Sequence, residues 1–203
     1  MNVTPKKIDA LNAALATNEL GPICYALDAA IRDAGGVVAV ARAARLDRTT
    51  LYRAFRVADG VDLRTLLKTL RAMRLQLIVE VNEQDEDPLR SNPGVETASG
   101  RQRQVVGRRL TTALKTGRAR DLLRAFAGGV HLQQNVTDLA QKVSIRRETL
   151  YRVFGRHPNA RLITLLSFLN ALGLRFAVRR VPMRHASSAG RSAPSAPTGD
   201  DAG

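Results

Sequence analysis

Two short strings hold the side chains best able to do chemistry. Arg48, Thr49, Thr50, Tyr52, Arg53 and Arg56 are interleaved with Leu51, Ala54 and Phe55. Arg147, Glu148, Thr149, Tyr151, Arg152 and Arg156 are interleaved with Leu150, Val153 and Phe154. On an α-helix residues three and four apart share a face, so the apolar members turn one way and the polar members the other. The polar face then carries guanidinium forks that donate two parallel hydrogen bonds, hydroxyls that donate and accept, and in one string a carboxylate that only accepts. This is equipment for recognising a surface. It is poor equipment for catalysis: His131, His157 and His185 are far apart in sequence, no Cys/His spacing suits zinc, and no glycine-rich loop fits a phosphate. The expectation is a protein that is not an enzyme and uses no cofactor or metal. The single cysteine, Cys24, falls among Ile23 and Leu27, where a small buried thiol is the common case.

The two strings are copies. Thr50-Leu51-Tyr52-Arg53-Ala54-Phe55 returns as Thr149-Leu150-Tyr151-Arg152-Val153-Phe154, an offset of 99 residues. Held without a gap from Val37 to Val79, that offset leaves sixteen of 43 positions identical, and Leu11, Ala14 and Leu15 recur as Leu110, Ala113 and Leu114. A duplicated unit of roughly 70 residues therefore fills most of the 203-residue chain, and units that small are marginal as isolated cores.

Each copy reads as mainly helical. Apolar residues recur three or four apart at Leu11 and Leu15, at Ile23, Leu27 and Ile31, and at Leu63, Leu66, Leu67 and Leu70. Alternation is confined to equivalent places, Leu75 to Val81 and Leu174 to Arg180, which predicts a short strand closing each copy. Gly173 fits a left-handed helix cap before the second strand, whereas Arg74 stands at that place in the first. The expected organisation is a first domain over 5–81, an acidic, Pro/Gly-containing flexible linker over 82–104, a second domain over 105–181 and a disordered tail over 182–203. Such a linker has a root-mean-square reach of about 25–30 Å, so the halves can meet, by pairing their strands within one chain or across a homodimer.

Ahead of each string the spacing is that of a helix-turn-helix. Val40, Ala41, Ala44, Leu46, Leu51 and Ala54 occupy the inward positions of the first window; Leu139, Ala140, Val143, Ile145, Leu150 and Val153 occupy those of the second. At the turn, where glycine usually supplies a positive φ, stand Arg45 and Ser144. Asp47 is placed to cap the second helix of the first window; its counterpart, Arg146, cannot cap and joins the outward set. An arginine fork matches guanine O6 and N7, threonine can meet a thymine methyl or a phosphate, and glutamate can accept from cytosine N4, so both faces suit the major groove of double-stranded DNA. The formal net charge of +14 agrees with a polyanionic partner; it splits into +5 over residues 5–79 and +12 over 105–181.

The run from Ile145 to Arg152, followed by Leu162-Ile163-Thr164-Leu165-Leu166 and by Leu169-Asn170-Ala171-Leu172-Gly173-Leu174, resembles the HigA-type addiction-module antidotes, bacterial repressors with a Cro/repressor-like helix-turn-helix. The resemblance covers residues 11–79 and 110–178. It implies two tandem Cro/repressor-like helix-turn-helix domains, each ending in a short β-strand, a role in repressing transcription, and neutralisation of a ribosome-dependent mRNA-cleaving toxin. Family antidotes carry one such domain and pair as dimers; this chain carries two. Three expectations follow: a cytoplasmic repressor reading two half-sites, nucleoid-associated when bound to DNA; alternatively, an interaction module that sequesters a toxin or regulator without reading DNA; and no attachment to a membrane, because no apolar run approaches the ~20 residues needed to cross one.

Overall fold

The computed structural model describes residues 1–56, 61–82, 98–116, 118–132 and 161–181. Within them the protein is mainly helical, with one two-stranded sheet. The first repeat contributes α1 (Pro5–Ala16), α2 (Leu20–Asp33), α3 (Gly36–Ala44), α4 (Arg48–Arg56), α5 (Leu63–Ala72) and β1 (Leu75–Val81). The second contributes α6 (Ala98–Lys115), α7 (Ala119–Leu132), α8 (Leu162–Ala171) and β2 (Leu174–Arg180). The apolar stripes bury as their spacing predicts: Leu11, Leu15, Ile23, Leu27, Ile31, Leu63, Leu66 and Leu70 are almost fully enclosed, and Cys24 is buried beside them. Asp62 opens α5 by accepting the Thr65 amide at 2.7 Å, a side-chain cap on one of the helix's free donors.

The second repeat begins earlier than expected. Helix α6 starts at Ala98, inside the stretch read as linker over 82–104. Ser99 and Gly100 read as breakers, but the following Arg101 to Gln104 are good helix formers that continue into the buried Val106 and Leu110. The tail beyond Val181 lies outside the described residues.

The two strands pair with each other, antiparallel, Leu75 opposite Arg180 and Val81 opposite Leu174. At the centre Ile78 faces Ala177, residues 99 apart and therefore the same position in the two repeats. The arrangement is a pseudo-two-fold, and bonds at both ends obey it. The Asn82 amide donates to the Gly173 carbonyl at 2.9 Å, and the Val181 amide donates to the Arg74 carbonyl at 3.0 Å. Asp62 and Arg161, also 99 apart, form a single antiparallel bridge. On the sheet's polar face Gln76 accepts from Arg179, and Glu80 pairs with Arg175 at 3.5 Å.

The repeats are also interlocked. Helix α1 of the first repeat packs on β2 of the second, and α6 of the second packs on β1 of the first. Each helix bonds the outer strand edge it covers. Asn12 accepts the Val178 amide at 2.7 Å and donates Nδ2 to the Val178 carbonyl at 3.1 Å. At the equivalent place, Thr111 Oγ1 accepts the Val79 amide at 3.0 Å and donates to the Val79 carbonyl at 3.1 Å. Edges expected to be open for pairing between chains are thus bonded at their midpoints by helices of the same chain. One continuous core runs through both repeats, from Val3 and Leu11 through Leu77 to Leu165 and Phe176.

Candidate nucleic-acid interface

Helices α3 and α4 are joined by Arg45, Leu46 and Asp47. The reversal needs one left-handed residue, and Arg45 supplies it with φ 53° although it is not glycine. Its amide donates to the Arg42 carbonyl at 3.2 Å and the Leu46 amide to the Ala41 carbonyl at 3.0 Å, so the end of α3 is closed by two backbone bonds. Arg74, at the end of α5, likewise has φ 58°, matching φ 64° at Gly173 in the other repeat. In both places tertiary packing imposes a conformation that arginine disfavours.

The inward positions are inward. Val40, Ala41, Ala44, Leu51, Ala54 and Phe55 are buried where α3 and α4 pack together, and Leu46 is half-buried at the turn. Burial of Leu51, Ala54 and Phe55 fixes the rotation of α4 and leaves Arg48, Thr49, Thr50 and Arg53 exposed, with Tyr52 about half exposed. Arg56 ends the helix; its side chain is outside the described set. The Leu51 amide donates to the Asp47 carbonyl at 3.0 Å, so Asp47 stands at the head of α4, and no acidic residue occupies the first turn. Asp47 and Arg48 are neighbours at the positive end of the helix dipole, their charges offsetting each other, so the positive charge of the exposed face is completed by Arg53 further along the helix. An α-helix about 10–12 Å across with its side chains fits a major groove about 12 Å wide.

Arg146, Arg147, Glu148, Thr149, Tyr151, Arg152 and Arg156, with the inward set of the second window, lie outside the described residues. Among the described residues no group of three His, Cys, Asp or Glu side chains is placed to hold a metal ion, and no helix is long and apolar enough to cross a membrane. Reasoning from the sequence missed Asn12 and Thr111. Their signal was there to be read: each puts a hydrogen-bonding side chain at the same repeat position, directly after a buried leucine, Leu11 or Leu110.

Comparison with known proteins finds no matching family model, no matching curated protein and no matching solved structure.

Proposed function

We propose that the protein is a sequence-specific DNA-binding regulator that presents α4, and the matching residues Arg147 to Arg156 of the second repeat, to the major groove of two half-sites. The observation that supports this most is the sorting on α4: Leu51, Ala54 and Phe55 are buried while Arg48, Thr49, Thr50 and Arg53 face outward on a helix held by a three-residue turn. The pseudo-two-fold of the sheet adds support, since two-fold-related reading helices one turn of DNA apart, ~34–36 Å, are how dimeric repressors of this design engage operators. A tandem chain supplies both reading surfaces at once, with the arginines common to the repeats, Arg48/Arg147 and Arg53/Arg152, holding position. Thr49 and Glu148, which differ, would choose bases. The test is fluorescence anisotropy on the duplex upstream of the protein's own gene against a shuffled duplex, over several salt concentrations. At least ~10³-fold preference with a steep salt slope is expected, and Arg48→Ala with Arg53→Ala should remove most of it. Equal weak binding to both duplexes overturns the proposal.

A second role, as the antidote of a toxin pair, is favoured by Tyr25. This aromatic is 80% exposed on α2 of the less basic repeat, where the other repeat carries Arg124. Co-expression with a toxin encoded beside it should rescue growth, and Tyr25→Ala should weaken the rescue while leaving DNA binding intact.

A further inference from the structure

A cavity of about 440 Å³ lies where α6 of the second repeat meets β1 of the first, walled by Val79, Val81, Gly107, Arg108, Thr112 and Lys115 among others. The two-fold counterpart, where α1 meets β2, uses the same repeat positions, and three of them differ in a concerted way. Gly107 stands where α1 has Ile8, whose side chain is buried; Arg108 stands in place of Asp9, and Lys115 in place of Ala16. No close packing requires that glycine. A Cβ at Gly107 would meet only Leu174 Cδ2 at 3.6 Å and the Val79 carbonyl at 3.9 Å, ordinary contacts. Glycine inside a helix weakens it, so what position 107 gains is open space.

The space is rimmed by charge. Arg108 and Lys115 are exposed, seven residues or about 10.5 Å apart along α6, and neither forms an ion pair among the described residues. Thr112 sits between them, its hydroxyl donating to the Arg108 carbonyl at 2.9 Å. Because Asn82 bonds inward to Gly173, the alternation of an antiparallel ladder turns the Val81 peptide outward, on the same edge as the Val79 peptide that Thr111 bonds. Half-buried Val81 beside the buried Val79 and Gly107 gives an open groove with a narrow apolar floor, one peptide edge without a partner among the described residues and two cations at its rim, a set that suits a small ligand with an apolar body and an anionic head.

We propose that this cavity binds a small amphipathic anion, its apolar body against Val79, Val81 and the Gly107 backbone, and its carboxylate or phosphate held by Arg108 or Lys115. Among the described residues the two-fold counterpart offers no such groove, because Ile8 is buried at the position of Gly107. It stands independently of the DNA-binding proposal. The test titrates the full chain with the fluorescent anion 1-anilinonaphthalene-8-sulfonate and then displaces it with octanoate, octyl phosphate or uncharged 1-octanol. Saturable 1:1 binding is expected, with displacement by at least one of the two anions and at least tenfold weaker displacement by octanol. Octanoate alone displacing assigns the headgroup to carboxylates; octyl phosphate alone assigns it to phosphates. Gly107→Ile should weaken binding at least tenfold while Gly107→Ala weakens it far less, thermal melts confirming folding. Should Gly107→Ile fail to fold, Arg108→Ala with Lys115→Ala decides, with the same tenfold loss expected. Unsaturable binding, displacement by octanol as readily as by the anions, or unchanged affinity in the folded variants overturns the proposal. So does binding that arises only after Glu83, Asp85, Glu86 and Asp87 are neutralised, which would assign the cavity to that acidic stretch.

Discussion

Asn12→Ala tests whether the repeats are structurally interdependent. Asn12 lies on α1 of the first repeat, yet both of its strong bonds, at 2.7 and 3.1 Å, go to Val178 in the second. Alanine retains the helix, since its propensity exceeds that of asparagine, but removes both partners of a part-buried strand edge. At about 0.5–1.5 kcal/mol for each neutral hydrogen bond, the loss is about 2 kcal/mol, somewhat offset by the gain in propensity. For a chain of this size 1 kcal/mol corresponds to roughly 2–4 °C, so the melting temperature should fall by about 4–8 °C. The shape of the transition carries the sharper information. Because α1 and α6 each cross to the other repeat's strand, both repeats should still unfold in a single transition followed by far-ultraviolet circular dichroism and calorimetry. A shift under ~1 °C, or a melt that splits into one unchanged and one lowered transition, would refute the interlocked packing.

Arg45→Gly removes a left-handed arginine at no loss of a buried contact and should raise stability by up to about 1 kcal/mol, read as a higher melting temperature; no rise would mean that Arg45 makes a compensating contact. Gly173→Ala should do the opposite, since φ is 64° there and the new Cβ would lie 2.9 Å from Arg103 Nη1; a melt unchanged within error would contradict this. Burial raises the pKa of the Cys24 thiol, so its contribution to stability is present below the thiol's ordinary pKa and is lost as the pH climbs above it. Cys24→Ser should flatten that alkaline decline, and 5,5′-dithiobis(2-nitrobenzoate) should label Cys24 quickly only after unfolding. The Thr4 amide, donating to Asp33 at 2.6 Å, holds that carboxyl below its ordinary pKa, so its contribution is present above the usual carboxylate range and fades as the pH falls through and below it. Asp33→Asn should reduce the acid dependence of the melt by a small amount, because the group is exposed.

Much of the fold could be read from the sequence because its causes are local. The stripe Leu63, Leu66, Leu67 and Leu70 has only one way to bury on a helix, and the alternation from Leu75 to Val81 only one way to lie as a strand. The same holds for α4, whose outward face follows once Leu51, Ala54 and Phe55 are placed inside. What could not be read depends on partners far away in the chain. The exchange of α1 and α6 is written in Asn12 and Thr111, which do the same job with different groups, so identity between the repeats does not reveal it. Arg45 and Arg74 take the left-handed region because the packing on either side over-determines them, and residue type alone argues against it. The start of α6 was obscured by Ser99 and Gly100, whose poor propensity is overridden by the burial of Val106 and Leu110.

Joining two repeats in one chain changes what symmetry can allow. In a homodimer built on the same sheet, every substitution occurs twice, so a glycine that opens one cavity opens two, and an extra cation on one side is an extra cation on both. Here the backbone keeps the two-fold relation, with Ile78 opposite Ala177 and paired bonds at Asn82 and Val181. The side chains are free of it. Charge has moved toward the second repeat, +12 against +5, and Gly107, Arg108 and Lys115 line the groove beside β1 where α1 carries Ile8, Asp9 and Ala16 at the same repeat positions. The interlocking restrains this divergence: because α1 completes the second repeat's edge and α6 the first's, neither copy can lose its helix without exposing its partner's strand. Divergence is therefore channelled to positions that do not carry the exchange, such as the outward face of α4 and the open side of the α6–β1 junction. A protein that reads DNA with such a pair gains an orientation that a homodimer lacks, because Thr49 and Glu148 would make its two half-sites unequal. Exchanging Thr49 for Glu should then shift base preference in one half-site alone, and an equal shift in both would show that the two repeats are not read separately.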